Sequence, residues 1–368
     1  MKQLTIMIKP ASSLCNMRCK YCFYSDISRL REFPSYGIMS SETRQKMLQH
    51  IFSGLADGDS VSFAFQGGEP ALAGLSWYQQ FIGEVKKLAS PGIHISYQFQ
   101  TNGLLLDEEW LCFFKEHRFL IGLSLDGPRD IHDRSRPDAH GKGTFTRVLE
   151  TKTRLEQYHI PCNILIVLTN STARHPKQIW NFLKKHQISH TQLIPCLAPL
   201  NQDPDAYSLT PRRYASFYTA LFNEWYEDAC QGNFRSIKLF DDLLNLLAFH
   251  QETACGITGR CQGQIVTEAN GNVYPCDFYA LDEWLAGNFQ IDDLRFLYES
   301  PVQTSFCSRP RQLPSLCGDC PYFSICGGGC PRMRSEVFCD PKDGFCGHRA
   351  FLDGSLPRIL RLAERLHR

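Results

Sequence analysis

Residues 3–235 alternate short apolar or β-branched runs with longer amphipathic stretches, and this alternation restricts the fold more than any other feature. The runs are LTIMI (4–8), VSFAF (61–65), ISYQFQ (95–100), LIGLSL (120–125), NILIVL (163–168) and HTQLIP (190–195). Helical periodicity lies between them, near 41–56, 75–89, 107–117, 144–158 and 176–187. Strand followed by helix, repeated, is the pattern of βα units around a parallel sheet. Six such strands suit a partial parallel barrel or an open doubly wound sheet, and periodicity does not separate the two. In either, ligands bind where strands end. The conspicuous residues do follow strands: QGGEP after 65, TNG after 100, DGP after 125 and PCLAP after 194. These loops are expected to converge on one site.

Seventeen cysteines in 368 residues are the compositional outlier. The N-terminus, MKQLTIMIKPASS, has its apolar run broken by Lys9 and Pro10, and reads as a first strand rather than a signal peptide. Without a secretory signal, metal or redox use in a reducing cytoplasm is expected in place of a disulfide framework. No apolar run reaches the roughly 18 residues of a membrane span. Lys plus Arg is 39 against 38 for Asp plus Glu, so neither nucleic acid nor a membrane surface is expected as a partner. Three cysteines lie within 15–22 and ten between 255 and 346. Cys112, Cys162, Cys196 and Cys230 are scattered between these groups and read as buried small hydrophobes.

Cys15, Cys19 and Cys22 are spaced C-x3-C-x2-C. A structural zinc site wants four ligands, and no fourth is at hand. A disulfide would strand one thiol. A four-iron cluster on three thiolates leaves one iron open. In the second motif, Gln66-Gly67-Gly68-Glu69-Pro70, the glycines let the backbone approach a ligand closely. Together, the triad with its trailing Phe-Tyr and the Gly-Gly-Glu loop resemble the radical S-adenosylmethionine (SAM) superfamily. The resemblance implies a partial (β/α)6 parallel barrel, a [4Fe–4S] cluster on the three cysteines, and SAM on the open iron. It implies that the loop Gln66, Gly67, Gly68 and Glu69 binds the amino end of SAM. Tyr21 resembles a backbone adenine contact, Ser124 and Arg136 resemble positions near the ribose and carboxylate, and Leu197 resembles an apolar adenine contact.

The helix-rich connector, roughly 211–250, leads to a tail rich in Gly, Pro and Cys. There Cys261, nine residues, Gly271, four residues and Cys276 precede Cys317-x2-Cys320-x5-Cys326-x3-Cys330 and a later Cys346. This resembles the SPASM extension of radical enzymes that modify peptides, while zinc is the physical competitor for C-x2-C pairs. The resemblance implies two auxiliary [4Fe–4S] clusters, three in all. One would use Cys255, Cys261, Cys276 and Cys330, and the other Cys317, Cys320, Cys326 and Cys346, with Cys339 as the alternative to Cys346 and Cys307 a poorer one. The expected division is 1–235 for the barrel, 236–348 for connector and SPASM domain, and 349–368 for a closing surface helix.

Asp277 follows Cys276 in NVYPCDFY, where a carboxylate pinned beside a cluster ligand suits a positioned proton acceptor. That segment, with IKPASSLCNMRCKYCFY, YGIM, FAFQGGEP, QTNG, LSLDGP and TARH, resembles the anaerobic sulfatase-maturating enzymes from about residue 5 to 348. The resemblance implies an oxidoreductase that cleaves SAM to a 5′-deoxyadenosyl radical, which abstracts a β-hydrogen from a Cys or Ser of a sulfatase. Asp277 would take the thiol or hydroxyl proton, an auxiliary cluster the second electron, and Cα-formylglycine would result. An external low-potential electron donor is implied. A maturase that cross-links a ribosomal peptide and a zinc-bearing binding protein are the competing expectations.

Overall fold

The described residues, 3–366 of a computed structural model, include ten strands between Gln3 and Asn288. They are β1 (Gln3–Ile8), β2 (Ser60–Phe65), β3 (His94–Thr101), β4 (Leu120–Ser124), β5 (Cys162–Leu168), β6 (His190–Pro195), β7 (Ser236–Ile237), β8 (Ile265–Thr267), β9 (Asn272–Tyr274) and β10 (Gly287–Asn288). Residue contacts divide the chain into two units. The first holds residues 3–124, Arg136–Cys162 and Gly263–Arg309; the second holds Leu125–Ser135, Asn163–Gln262 and the residues from Pro310 onward.

In the first unit, β1 to β4 lie side by side in chain order and parallel, with Ile8 opposite Phe65 and Phe65 opposite Phe99. Alternation decides which face is buried: Leu4, Ile6 and Ile8 of β1, and Val61, Phe63 and Phe65 of β2, point inward. The helices Ser41–Ser53, Leu75–Leu88 and Glu108–Glu116 cover that sheet. Two of them start on side-chain caps, Ser40 accepting from the Thr43 N–H and Asp107 from the Trp110 N–H. The core beneath is aromatic. Phe65 sits between Phe81, with ring centroids 5.0 Å apart and nearly perpendicular, and Tyr78 at 5.1 Å.

The stretch Gly263–Arg309 also belongs here. β8 lies parallel beside β1, with Ile6 opposite Ile265 and Ile8 opposite Thr267, and β9 and β10 follow antiparallel. Strands of two or three residues carry no readable period, so this return to the first sheet has no local signal.

In the second unit β5 and β6 are parallel, with Ile164 opposite Thr191, and β7 follows on β6. The helices Pro211–Cys230, Lys238–Phe249 and Gly347–Leu366 bury Tyr218, Phe222, Trp225, Phe240 and Phe351. Phe240 stacks on Phe351 at 6.1 Å. A ribbon of two short strands, Cys339–Asp340 and Phe345–Cys346, precedes the last helix. That helix begins at Gly347, and the final two residues of the expected 349–368 segment lie outside the described residues.

The six expected strands and five expected helices are present, the helix expected over 41–56 stopping at Ser53 before Gly54. Within residues 3–235 two helices were not expected, Phe23–Arg29 and Arg129–Ser135, and the tail adds short ones, among them Leu294–Glu299 and Pro301–Cys307. One reading of the cysteines is corrected. Cys196 is buried and Cys162 half-buried, but Cys112 and Cys230 are exposed. Cys112 lies on the outer face of a helix whose Trp110, Leu111, Phe113 and Phe114 point inward, and Cys230 ends its helix.

Candidate active site

In the first unit the loop after β1 carries the cysteine triad, and the loop after β2 carries the Gly-Gly-Glu motif. Main-chain hydrogen bonds lock the two together. The Gly68 N–H donates to the Ser12 carbonyl at 2.9 Å, and the Glu69 N–H donates to the Leu14 carbonyl at 2.7 Å. A Cβ on Gly68 would stand 2.1 Å from the Leu14 oxygen, so no larger residue fits this approach.

Cys15, Cys19 and Cys22 are all half-buried, and Cys22 directly precedes the helix Phe23–Arg29. Cys15 Sγ accepts the Met17 N–H at 3.4 Å, and Asn102 Nδ2 lies 3.9 Å away while donating to Asn16 Oδ1 at 2.7 Å. Burial pushes the Cys15 thiol up to about 12; Glu69, Cys19 and Cys22 add to this against the Met17 N–H. Thiols crowded with one another and with a carboxylate ionise when a cation joins them. This donor set, three thiols on one short loop, fits a cluster with an iron left open.

Glu69 is 1% exposed and its carboxylate is spent inside the protein. It accepts from the Ala71 N–H at 3.0 Å, Thr101 Oγ1 at 2.8 Å and the Asn102 N–H at 2.8 Å. Burial raises its pKa, while these hydrogen bonds and Arg136 oppose the rise. Glu69 thus ties the end of β3 to the Gly-Gly-Glu loop. Ser124 ends β4 and is buried. Arg136 is buried and donates to the Tyr21 hydroxyl at 2.9 Å. Leu197, half-buried after β6, belongs to the second unit.

Asp277 opens a short turn after β9 and is buried. Its Oδ1 lies 2.8 Å from Lys9 Nζ, while Oδ2 accepts from the Tyr24 hydroxyl at 2.7 Å and Gln66 Nε2 at 3.1 Å. Gln66 also donates to the Tyr24 oxygen. Tyr24 is held protonated, its pKa raised by burial and by Asp277. Lys9, 1% exposed, reaches Glu268 Oε1 at 3.4 Å as well, and Glu268 takes Arg31 at 2.7 Å and the Ser12 hydroxyl at 2.9 Å. Burial works against the Glu268 carboxylate, but Lys9 and Arg31 bring its pKa below the usual value. Sequence reading singled out Asp277 and Gln66. Lys9 was noted only as breaking an apolar run, and Tyr24, Arg31, Asn102 and Glu268 went unnamed, although Tyr24 and Asn102 lie in the noted Phe-Tyr and TNG segments.

Of the ten cysteines of the tail, Cys276 and Cys307 belong to the first unit and the other eight to the second. The loop at 255–262 meets 327–330 so closely that a Cβ on Gly259, at φ +75°, would stand 2.1 Å from the Gly327 carbonyl. Cys255 is pushed up by burial and by Cys261 and Cys330. A cavity of about 180 Å³ is lined by Cys255 and Cys330 with Tyr214, Tyr218 and His348. Cys317, Cys320, Cys326, Cys339 and Cys346 line a second cavity. Cys307 lies outside both, its Sγ 2.9 Å from where a Cβ on Gly263 would stand.

A three-thiol loop locked to a Gly-Gly-Glu loop, with further thiols in the tail, defines a radical SAM protein carrying an iron–sulfur extension. The Radical SAM superfamily matches residues 10–183, and SPASM, an iron–sulfur cluster-binding domain, matches 255–321. Cysteine-type anaerobic sulfatase-maturating enzymes of Clostridium novyi and Clostridium perfringens are 38% and 39% identical, over the whole of this chain and 99% and 100% of theirs. A serine-type enzyme of Bacteroides thetaiotaomicron is 29% identical over 93% of this chain and 86% of its own. A solved structure, native anSMEcpe with bound AdoMet and Kp18Cys peptide, is similar with a TM-score of 0.91 and 37% identity, covering 99% of both chains. The chain belongs to the anaerobic sulfatase-maturating family of radical SAM enzymes.

Two substitutions test this geometry. Gly68→Ala is expected to lower stability by about 1–3 kcal/mol through overpacking, read as a lower denaturant midpoint. Lys9→Met leaves carboxylates buried without their ammonium and is expected to cost about 3–5 kcal/mol. An unmoved midpoint in Lys9→Met would show that the pairing contributes nothing.

Proposed function

We infer that the chain oxidises a cysteine of a target sulfatase to Cα-formylglycine, the observation carrying this being the Asp277–Tyr24–Gln66–Lys9 cluster beside the triad loop. The choice of cysteine over serine rests on relatives: the cysteine-type enzymes are 38–39% identical and the serine-type 29%. Cys15, Cys19 and Cys22 would hold the cluster that engages SAM, with Gln66, Gly67, Gly68, Glu69, Tyr21, Ser124, Arg136 and Leu197 framing SAM itself. Glu69 acts within that frame by fixing Thr101 and Asn102. Cys255, Cys261, Cys276 and Cys330 would hold one auxiliary cluster, and Cys317, Cys320, Cys326 and Cys346 the other. When bound, these groups supply hydrogen-atom abstraction and take up electrons.

The chain's own contribution is proton and substrate handling. Asp277 takes the proton of the target thiol. Lys9 holds one of its oxygens, and Tyr24 and Gln66 fix the other, so the carboxylate meets the substrate in one orientation. Tyr24, protonated, donates and does not compete for that proton. Residues 1–235 would carry the SAM chemistry, 236–348 the auxiliary clusters, and 349–368 the closing helix. No helix among the described residues is long and apolar enough to cross a membrane, and a cytoplasmic location with an external low-potential electron donor is part of the proposal.

The test is an anaerobic assay of the reconstituted protein with SAM, a reductant and a peptide bearing a C-x-P-x-R or S-x-P-x-R motif, read by mass spectrometry. Aldehyde formation, faster on cysteine than on serine, is expected; an unchanged peptide with SAM intact would refute the reading. Asp277→Asn is expected to keep SAM cleavage while product formation falls by about 10²–10⁴-fold. Cys15→Ala is expected to abolish SAM cleavage while the iron of the auxiliary sites persists.

A further inference from the structure

The cavity assigned to the second auxiliary cluster has one thiol more than such a cluster uses. A [4Fe–4S] cluster is closed by four thiolates, yet Cys317, Cys320, Cys326, Cys339 and Cys346 all line this cavity. Cys339 is 3% exposed. The ribbon places it directly opposite Cys346 in antiparallel register. Opposite residues of such a pair project to the same face with their Cβ atoms about 4.5–5.5 Å apart. The Cys339, Cys346 and Cys317 side chains share the wall of this one cavity. Cys346 stands at the start of the helix Gly347–Leu366, where its Sγ accepts the Arg349 N–H at 3.4 Å. With Cys346 taken as the fourth ligand, Cys339 is the fifth sulfur of the cavity.

We propose that Cys339 is a substitute ligand of the second auxiliary cluster, taking the iron position of Cys346 when that thiolate is lost. The inference rests on the assignment of this cavity to a cluster. The exchange balances without any oxidant or reductant. The iron–Sγ bond of Cys346 breaks, that of Cys339 forms, and the Cys339 proton passes to the departing Cys346 sulfur. In a chain lacking Cys346 that proton goes to solvent during assembly. No change of strand register is required, because the two residues already stand opposite one another across one ribbon and line the same cavity.

The experiment is anaerobic reconstitution of the full chain, with iron and acid-labile sulfide counted per folded protein. Wild type is expected to hold about twelve iron atoms, three clusters of four. Cys339→Ala and Cys346→Ala singly are each expected to retain that content, and the double variant to fall to about eight. Cys346→Ser, closest in size, accompanies Cys346→Ala, and far-ultraviolet circular dichroism identifies the folded fraction on which iron is counted. Loss of one cluster from folded Cys346→Ala and Cys346→Ser would overturn the proposal, as would loss from Cys339→Ala alone or full retention in the double variant. Wild-type protein lacking the auxiliary iron altogether would instead overturn the cluster assignment on which the proposal rests.

Discussion

A single buried ammonium organises the reactive end of this protein. Lys9 stands between Asp277 and Glu268, and neither carboxylate has enough solvent around it to be stable alone. Burying charge is unfavourable unless it is paired and hydrogen-bonded. Here the pairing is shared, with Arg31 and Ser12 completing Glu268, and Tyr24 and Gln66 completing Asp277. Each member has its position set by the others. Asp277 therefore has a fixed orientation although it lies on a short turn, a kind of segment that alone would hold a side chain poorly.

The second ordering element is main chain rather than side chain. Parallel strands deliver their following loops to one edge of the sheet, but that brings loops only into the same neighbourhood. The bonds from Gly68 to Ser12 and from Glu69 to Leu14 turn neighbourhood into contact. Glu69 then extends the connection to β3 through Thr101 and Asn102, and Asn102 reaches the triad loop through Asn16. Three successive loops thus form one hydrogen-bonded body, held by interactions that do not depend on which side chains decorate the rest of the surface.

What the sequence disclosed follows from the range over which each signal acts. Strands β1 to β6 and the helices between them have periods of two and of about 3.6 within a few residues, and they were legible. The thiol triad and the Gly-Gly-Glu loop were legible because chemistry dictates their spacing. Lys9 was not, since its partners Glu268 and Asp277 lie more than 250 residues away and reach it only through the pairing of β1 with β8. Tyr24 was overlooked for a similar reason: next to a cysteine motif, an aromatic pair looks like packing until Asp277 is placed against it. Cys112 and Cys230 show the converse. A small apolar residue in a helix rich in buried neighbours reads as core, but its place on the wheel turns it outward.

β8 lies beside β1 and so belongs to the same unit as the triad, although in sequence it falls within the match to the iron–sulfur extension. The linear boundary between the two family matches is therefore not a physical seam. Exchanging the tail for that of a relative would replace a strand of the first sheet and the counter-charges of Lys9 along with the auxiliary cysteines. The tail is thus separable from the triad only at the cost of the sheet edge on which Lys9 stands, so it is part of the wall of the reactive end and not an appendage to it.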